Sequence, residues 1–127
     1  MDFLPGGSPR LDVMRADCRA RSVLTVLAER WALLIIDALG EGPRRTSELR
    51  RRIGGISEKM LIQTLRRLEA LGLIERRDYR EVPPKVEYAL TKRGASLSPI
   101  VSTLDRWVEE NALDMLPGAA ASTAGEM

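Results

Sequence analysis

The sequence contains no histidine and a single cysteine, Cys18. The first absence removes the usual general base and the commonest metal ligand. The second excludes an internal disulfide and any cysteine-cluster zinc site. No Ser-His pair, glycine-rich phosphate loop or metal-ligand cluster is present, so the chain reads as a non-enzyme with no cofactor and no metal. Aromatics are few: two Trp, two Tyr and one Phe. The core must therefore come from Leu, Ile, Val and Ala, which suits helix-on-helix packing. No apolar run reaches the ~18 residues of a membrane span. The N-terminus has no basic region followed by an apolar core, so no secretory leader is expected. With a lone cysteine, this points to the cytoplasm.

What is present fits one domain of 127 residues with 44% hydrophobic content, enough to bury a core. The net charge of +2 says little by itself, but its distribution is uneven. Residues 1–40 are balanced, with five Arg against five Asp/Glu. Residues 41–85 hold twelve Lys/Arg against seven Asp/Glu, a surplus of five. Residues 86–127 hold three against six. A charge run is often only a solvated face. Here the basic surplus coincides with a patterned helix and hairpin, which favours an anion-binding surface.

That helix lies in the run from Ile56 to Arg76. At about 100° per residue, Leu61, Leu65 and Leu68 share one face. Lys59, Gln63, Arg66 and Arg67 fall on the far side. Such a face suits a DNA major groove, with Lys and Arg for guanine or phosphate and Gln for adenine. Ser57 is a natural N-cap and Gly72 a C-cap.

The rest of the chain builds around this element. Residues 1–11 read as a flexible tail and 12–112 as the folded domain, with 113–127 a second tail. A helical pattern runs from about Asp12 to Ala28. Trp31 to Leu39 is apolar almost all round and should be the most buried helix. Thr46 or Ser47 can cap a short helix ending at Arg52, closed by Gly54-Gly55. After Gly72 the period changes to that of strands, over Leu73–Arg80 and Val86–Leu90. Val86, Tyr88 and Leu90 share one strand face, Glu87 and Ala89 the other. The link Glu81-Val-Pro-Pro-Lys85 is a stiff hairpin tip. Thr91 can cap a final helix, in which Pro99 implies a kink or a start nearer Ser98. Leu97, Ile100, Val101, Leu104, Trp107 and Val108 recur along it at spacings of three and four. The fold class is therefore mainly α with a small two-stranded β-wing: a winged helix-turn-helix with extra N- and C-terminal helices.

The stretches R-W-A-L-L-I-I-D-A-L, G-P-R-R-T-S-E-L, G-I-S-E-K-M-L-I-Q-T-L-R-R-L-E-A-L-G-L-I-E-R and Y-R-E-V-P-P-K-V-E-Y-A-L-T-K-R-G, with Cys18 before them, follow one another in order. Together they resemble the HxlR family of bacterial winged-helix transcriptional regulators, relatives of the MarR group. The likeness spans about Cys18 to Trp107, and V-P-P-K-V-E-Y-A-L-T is its most specific part. It implies a homodimer on an inverted-repeat operator, joined through its first and last helices. Some family members sense oxidants or electrophiles through one N-terminal cysteine, and Cys18 stands at that position. The chain departs from the pattern in having Arg19 after the cysteine, where Pro is usual, and Thr46 where an aromatic is common.

The expected DNA-reading residues are Ser57, Lys59, Met60, Gln63, Thr64 and Arg67. Arg44, Arg45, Arg51, Arg80 and Lys85 are expected at the DNA backbone or on the wing. Glu58 is expected to favour the helix dipole. Val23, Leu97, Ile100, Val101, Leu104, Trp107 and Val108 form the expected dimer face. Partners are thus double-stranded DNA, a second copy of the chain, and an oxidant or small-molecule effector, with no membrane. The reading is a DNA-binding transcriptional regulator, most simply a repressor. Two alternatives stay open: a ligand-gated winged-helix regulator without redox sensing, and a winged helix used for protein–protein contact.

Overall fold

The computed structural model describes residues 11–116. Five helices and one hairpin follow in order: α1 (Ala20–Leu27), α2 (Ala32–Gly40), α3 (Thr46–Arg52), α4 (Glu58–Ala70), β1 (Ile74–Asp78), β2 (Val86–Leu90) and α5 (Lys92–Met115). This is the winged helix-turn-helix arrangement.

The apolar helix α2 is central, as its sequence requires. Consecutive residues Ile35 and Ile36 are both fully buried, which demands neighbours on more than one side. α2 touches all four other helices and β2. Leu49 of α3 and Leu61, Leu65 and Leu68 of α4 complete the core with Ile53, Ile56, Ile74 and Val101.

The turn between α3 and α4 is held from both ends. Ile53 and Ile56 are buried on either side of Gly54-Gly55, and Gly55 takes φ +86°, a conformation that favours glycine. The Ser57 hydroxyl accepts from the Met60 N–H at 3.1 Å, capping α4. At the other end Gly72 has φ +76°. Its N–H donates to the Glu69 carbonyl at 2.9 Å, and the Leu73 N–H donates to Leu68 at 3.1 Å. This Schellman closure turns the chain into the wing.

β1 and β2 pair antiparallel, Ile74 opposite Leu90 and Asp78 opposite Val86. A third backbone segment joins them. Arg44 exchanges both hydrogen bonds with Tyr88, at 2.9 and 2.8 Å, tying the start of the helix-turn-helix to the wing. Ala89 as well as Tyr88 is buried, so both faces of β2 are covered at this end, not one. Thr91 fastens the wing to α5: its hydroxyl donates to the Gly72 carbonyl at 2.6 Å and accepts from the Gly94 N–H at 3.2 Å.

Several element boundaries differ from the sequence reading. α3 is capped by Arg45, so Thr46 and Ser47 lie inside it, and β1 spans Ile74–Asp78 where Leu73–Arg80 was expected. α1 begins at Ala20, and residues 13–17 form turns. The Asp12 carboxylate there accepts from the Met14 N–H at 3.0 Å, a local bond that competes with helix. α5 begins at Lys92, as the Thr91 cap implies, and passes through Pro99 without interruption, so the alternative start nearer Ser98 does not hold. It also continues past residue 112 to Met115. The remainder of both expected tails lies outside the described residues.

Candidate nucleic-acid interface

α4 is anchored by Leu61, Leu65 and Leu68, all fully buried. That fixes which side faces out. Lys59 and Arg66 are exposed, with Gln63 half-buried between them. Lys59 and Arg66 make no ion pair among the described residues. Arg66 belongs with Lys59 and Gln63, as its place on the far side of the helical wheel indicates.

The other expected groove residues divide. Ser57 is exposed, and its hydroxyl serves as the cap. Met60 is half-buried against the core. Arg67 is turned away: its guanidinium donates to the Glu29 carboxylate in the turn between α1 and α2. Thr64 is a correction. It is 1% exposed, and its hydroxyl donates to the Met60 carbonyl at 2.8 Å. One turn from Leu61 and Leu68, it lies on the core flank and cannot reach a groove.

The arginines around α3 also separate by partner. Arg44 is a second correction: its side chain donates to the Ala38 carbonyl at 3.2 Å and to Glu41 at 2.6 Å, so it braces the fold. Arg52 grips the same carboxylate at 2.9 Å. The Arg52 guanidinium, with Arg44 adding to it, holds the Glu41 carboxyl below the usual range. Arg45 and Arg51 are exposed and make no ion pair among the described residues. Arg51 lines a shallow concavity with Ser47, Arg50, Gly55, Ile56 and Ser57, at the amino end of α4. Ser47 was not in the expected set; Arg50 is one of the arginines flanking the short helix, some of which were expected at phosphates. The signal for Ser47 is its position in the helix before the turn, beside the positive end of the α4 dipole.

On the wing, Arg77 pairs with Glu75 at 2.8 Å and Arg76 lies 3.9 Å from Asp78. Arg80 is exposed at the tip, at φ 53°, with its N–H donating to Asp78 at 2.9 Å. The Lys85 ammonium stacks 4.7 Å from the Tyr79 ring. The surface that results is a helix face flanked on one side by arginines and on the other by a wing with a basic tip.

The expected dimer face is partly a core. Val101 is 1% exposed and Leu97 is half-buried against the same cluster, so both pack within the chain. Val101 is thus corrected to a core residue. Val23, Ile100, Leu104, Trp107 and Val108 remain exposed, joined by Leu24 of α1.

A family model for the HxlR-like helix-turn-helix matches residues 26–115, which contain α2 to α5 and the wing. The chain belongs to the HxlR-like helix-turn-helix family. Like its relatives it is a transcriptional regulator and not an enzyme. It is 48% identical to the uncharacterized HTH-type transcriptional regulator YtfH of Escherichia coli K12 over 99 residues, 78% of this chain and 79% of that one. Its fold is similar to that of the transcriptional regulator ytfH from Salmonella typhimurium, with TM-score 0.78 and 41% identity over 87% of this chain and 99% of that one. It is also similar to the redox regulator HypR in its oxidized form, with TM-score 0.68 and 39% identity over 74% of this chain and 97% of that one.

Cys18 of this HxlR-like chain sits in the turn just before α1 and is half-buried. Of the cations near it in sequence, Arg15 is engaged with Asp17 through two hydrogen bonds of 3.1 and 3.2 Å. No helix among the described residues is long and apolar enough to cross a membrane.

Proposed function

We propose that this HxlR-like regulator works as a homodimer that represses by occupying an inverted-repeat operator. Each α4 lies in a major groove, with Lys59, Gln63 and Arg66 toward the bases and Arg45, Arg50 and Arg51 toward phosphates. Arg80 and Lys85 of the wing reach the adjoining backbone. The observation that carries this reading is the outward row on α4. Its opposite side is locked in the core, so the row has no structural task. The exposed residues Leu24 of α1 and Ile100, Leu104 and Trp107 of α5 support a dimer seam, because a solvated patch of this kind favours a self-complementary partner.

The test is a mobility shift on the DNA upstream of its own gene, over a salt series. If about eight phosphates are neutralised by the dimer, log K falls with log salt at a slope of about −7. Gln63→Ala should cost about 1–3 kcal/mol against the best site and relax selectivity at one base pair. Salt-independent binding, or none, would favour a winged helix that contacts protein.

A second reading is favoured by the likeness to HypR, a redox regulator. In it Cys18 makes operator binding respond to oxidants. Diamide should then change DNA affinity for the native chain and leave Cys18→Ser unaffected. An equal response from both proteins removes Cys18 from the mechanism.

A further inference from the structure

Lys59, Gln63 and Arg67 stand four residues apart along α4, so they form one straight ridge on the helix surface. Two of the three point outward. The third, Arg67, is drawn aside by Glu29, thirty-eight residues earlier in the chain. Glu29 follows α1, in a turn anchored on both sides. Trp31 is half-buried against the core, its ring near Gly55, and Arg30 lies 4.8 Å over that ring. The carboxylate therefore has a firm base. Arg67 has a long, flexible side chain on the flank of α4, and its side chain is 48% exposed. The ion pair is half-exposed and so modest in strength, but it must be broken before the guanidinium can reach a DNA phosphate. Resting on the DNA-binding reading above, we propose that Glu29 is a specificity-determining residue: it competes with DNA phosphate for the Arg67 guanidinium and so withholds one cation per subunit from sequence-independent binding. Base contacts by Lys59 and Gln63 then weigh more in the total affinity, because phosphate contacts carry no sequence information.

The experiment uses the full chain and a mixed-sequence duplex about three helical turns long. Fluorescence anisotropy follows binding between about 50 and 200 mM salt for the native protein, Glu29→Gln, Arg67→Gln and the double variant. Glu29→Gln frees Arg67 and should steepen the slope of log K against log salt by about 0.9 per subunit. Arg67→Gln should keep the native slope, and the double variant should match Arg67→Gln. Two results overturn the inference. One is a native slope for Glu29→Gln. The other is a double variant as steep as Glu29→Gln, which would mean the carboxylate acts only through overall charge. A native protein with no salt-dependent binding sinks the DNA-binding reading and this inference together. A steep native slope unchanged by Glu29→Gln sinks the inference alone. Thermal melts of all four proteins establish that they are folded.

Discussion

Asp105 on α5 stands between carboxylates. Burial pushes its carboxyl up to about 7, and hydrogen bonding and charge from Asp37 on α2 add to this, as does the charge of Glu109. Asp37 already accepts from the Ser102 hydroxyl at 2.7 Å. Arg52, from the end of α3, lines the same cleft. In the unfolded chain Asp105 ionises near its ordinary 3.8, whereas in the folded chain it holds its proton to about 7. Its contribution to stability is therefore full below about pH 4 and is lost as pH rises through 7. Asp105→Asn keeps a hydrogen-bond donor for Asp37 and removes the titration. The variant should be more stable than the native chain at pH 8, by about 1–2 kcal/mol after allowance for partial solvation, and level with it near pH 4. Melts across this range check it, and parallel curves for both proteins would contradict it.

At the scale of elements, the joint between α4, the wing and α5 depends on Gly94. A Cβ there would run into the Leu73 carbonyl, whereas one on Gly54 would meet nothing within 4 Å. Gly94→Ala should therefore cost about 1–3 kcal/mol or more, while Gly54→Ala stays near neutral; denaturant titration compares them. α4, the wing and α5 were legible because they carry their own period and caps: Ser57, Gly72 and Thr91 act as their chemistry suggests, whereas α3 starts from Arg45 and not from a Thr46 or Ser47 cap. Much of what was not legible depends on distant partners. Tyr88 is Arg44's backbone partner from another element; the charge of Arg44 read as free although Glu41, three residues earlier, takes it. Arg67 read as a groove residue because Glu29 belongs to another element. Thr64 misled because a hydroxyl looks polar, yet it can be satisfied by the carbonyl one turn back. Pro99 suggested a break, but Leu97 and Val101 on either side of it are held against the core, and packing outweighs the lost backbone bond.

The whole molecule separates two surfaces. The basic excess of residues 41–85 lies on α3, α4 and the wing, and exposed apolar residues lie on α1 and α5. One surface suits DNA and the other a second copy, so the account requires both at once: two α4 helices presented with two-fold symmetry. Selection of bound duplexes from a random pool tests this most directly. The account predicts an enriched inverted repeat whose half-site centres lie about 10–10.5 base pairs apart, or a whole multiple of that. A pool with no enrichment, or one that converges on a single unpaired half-site, would contradict it.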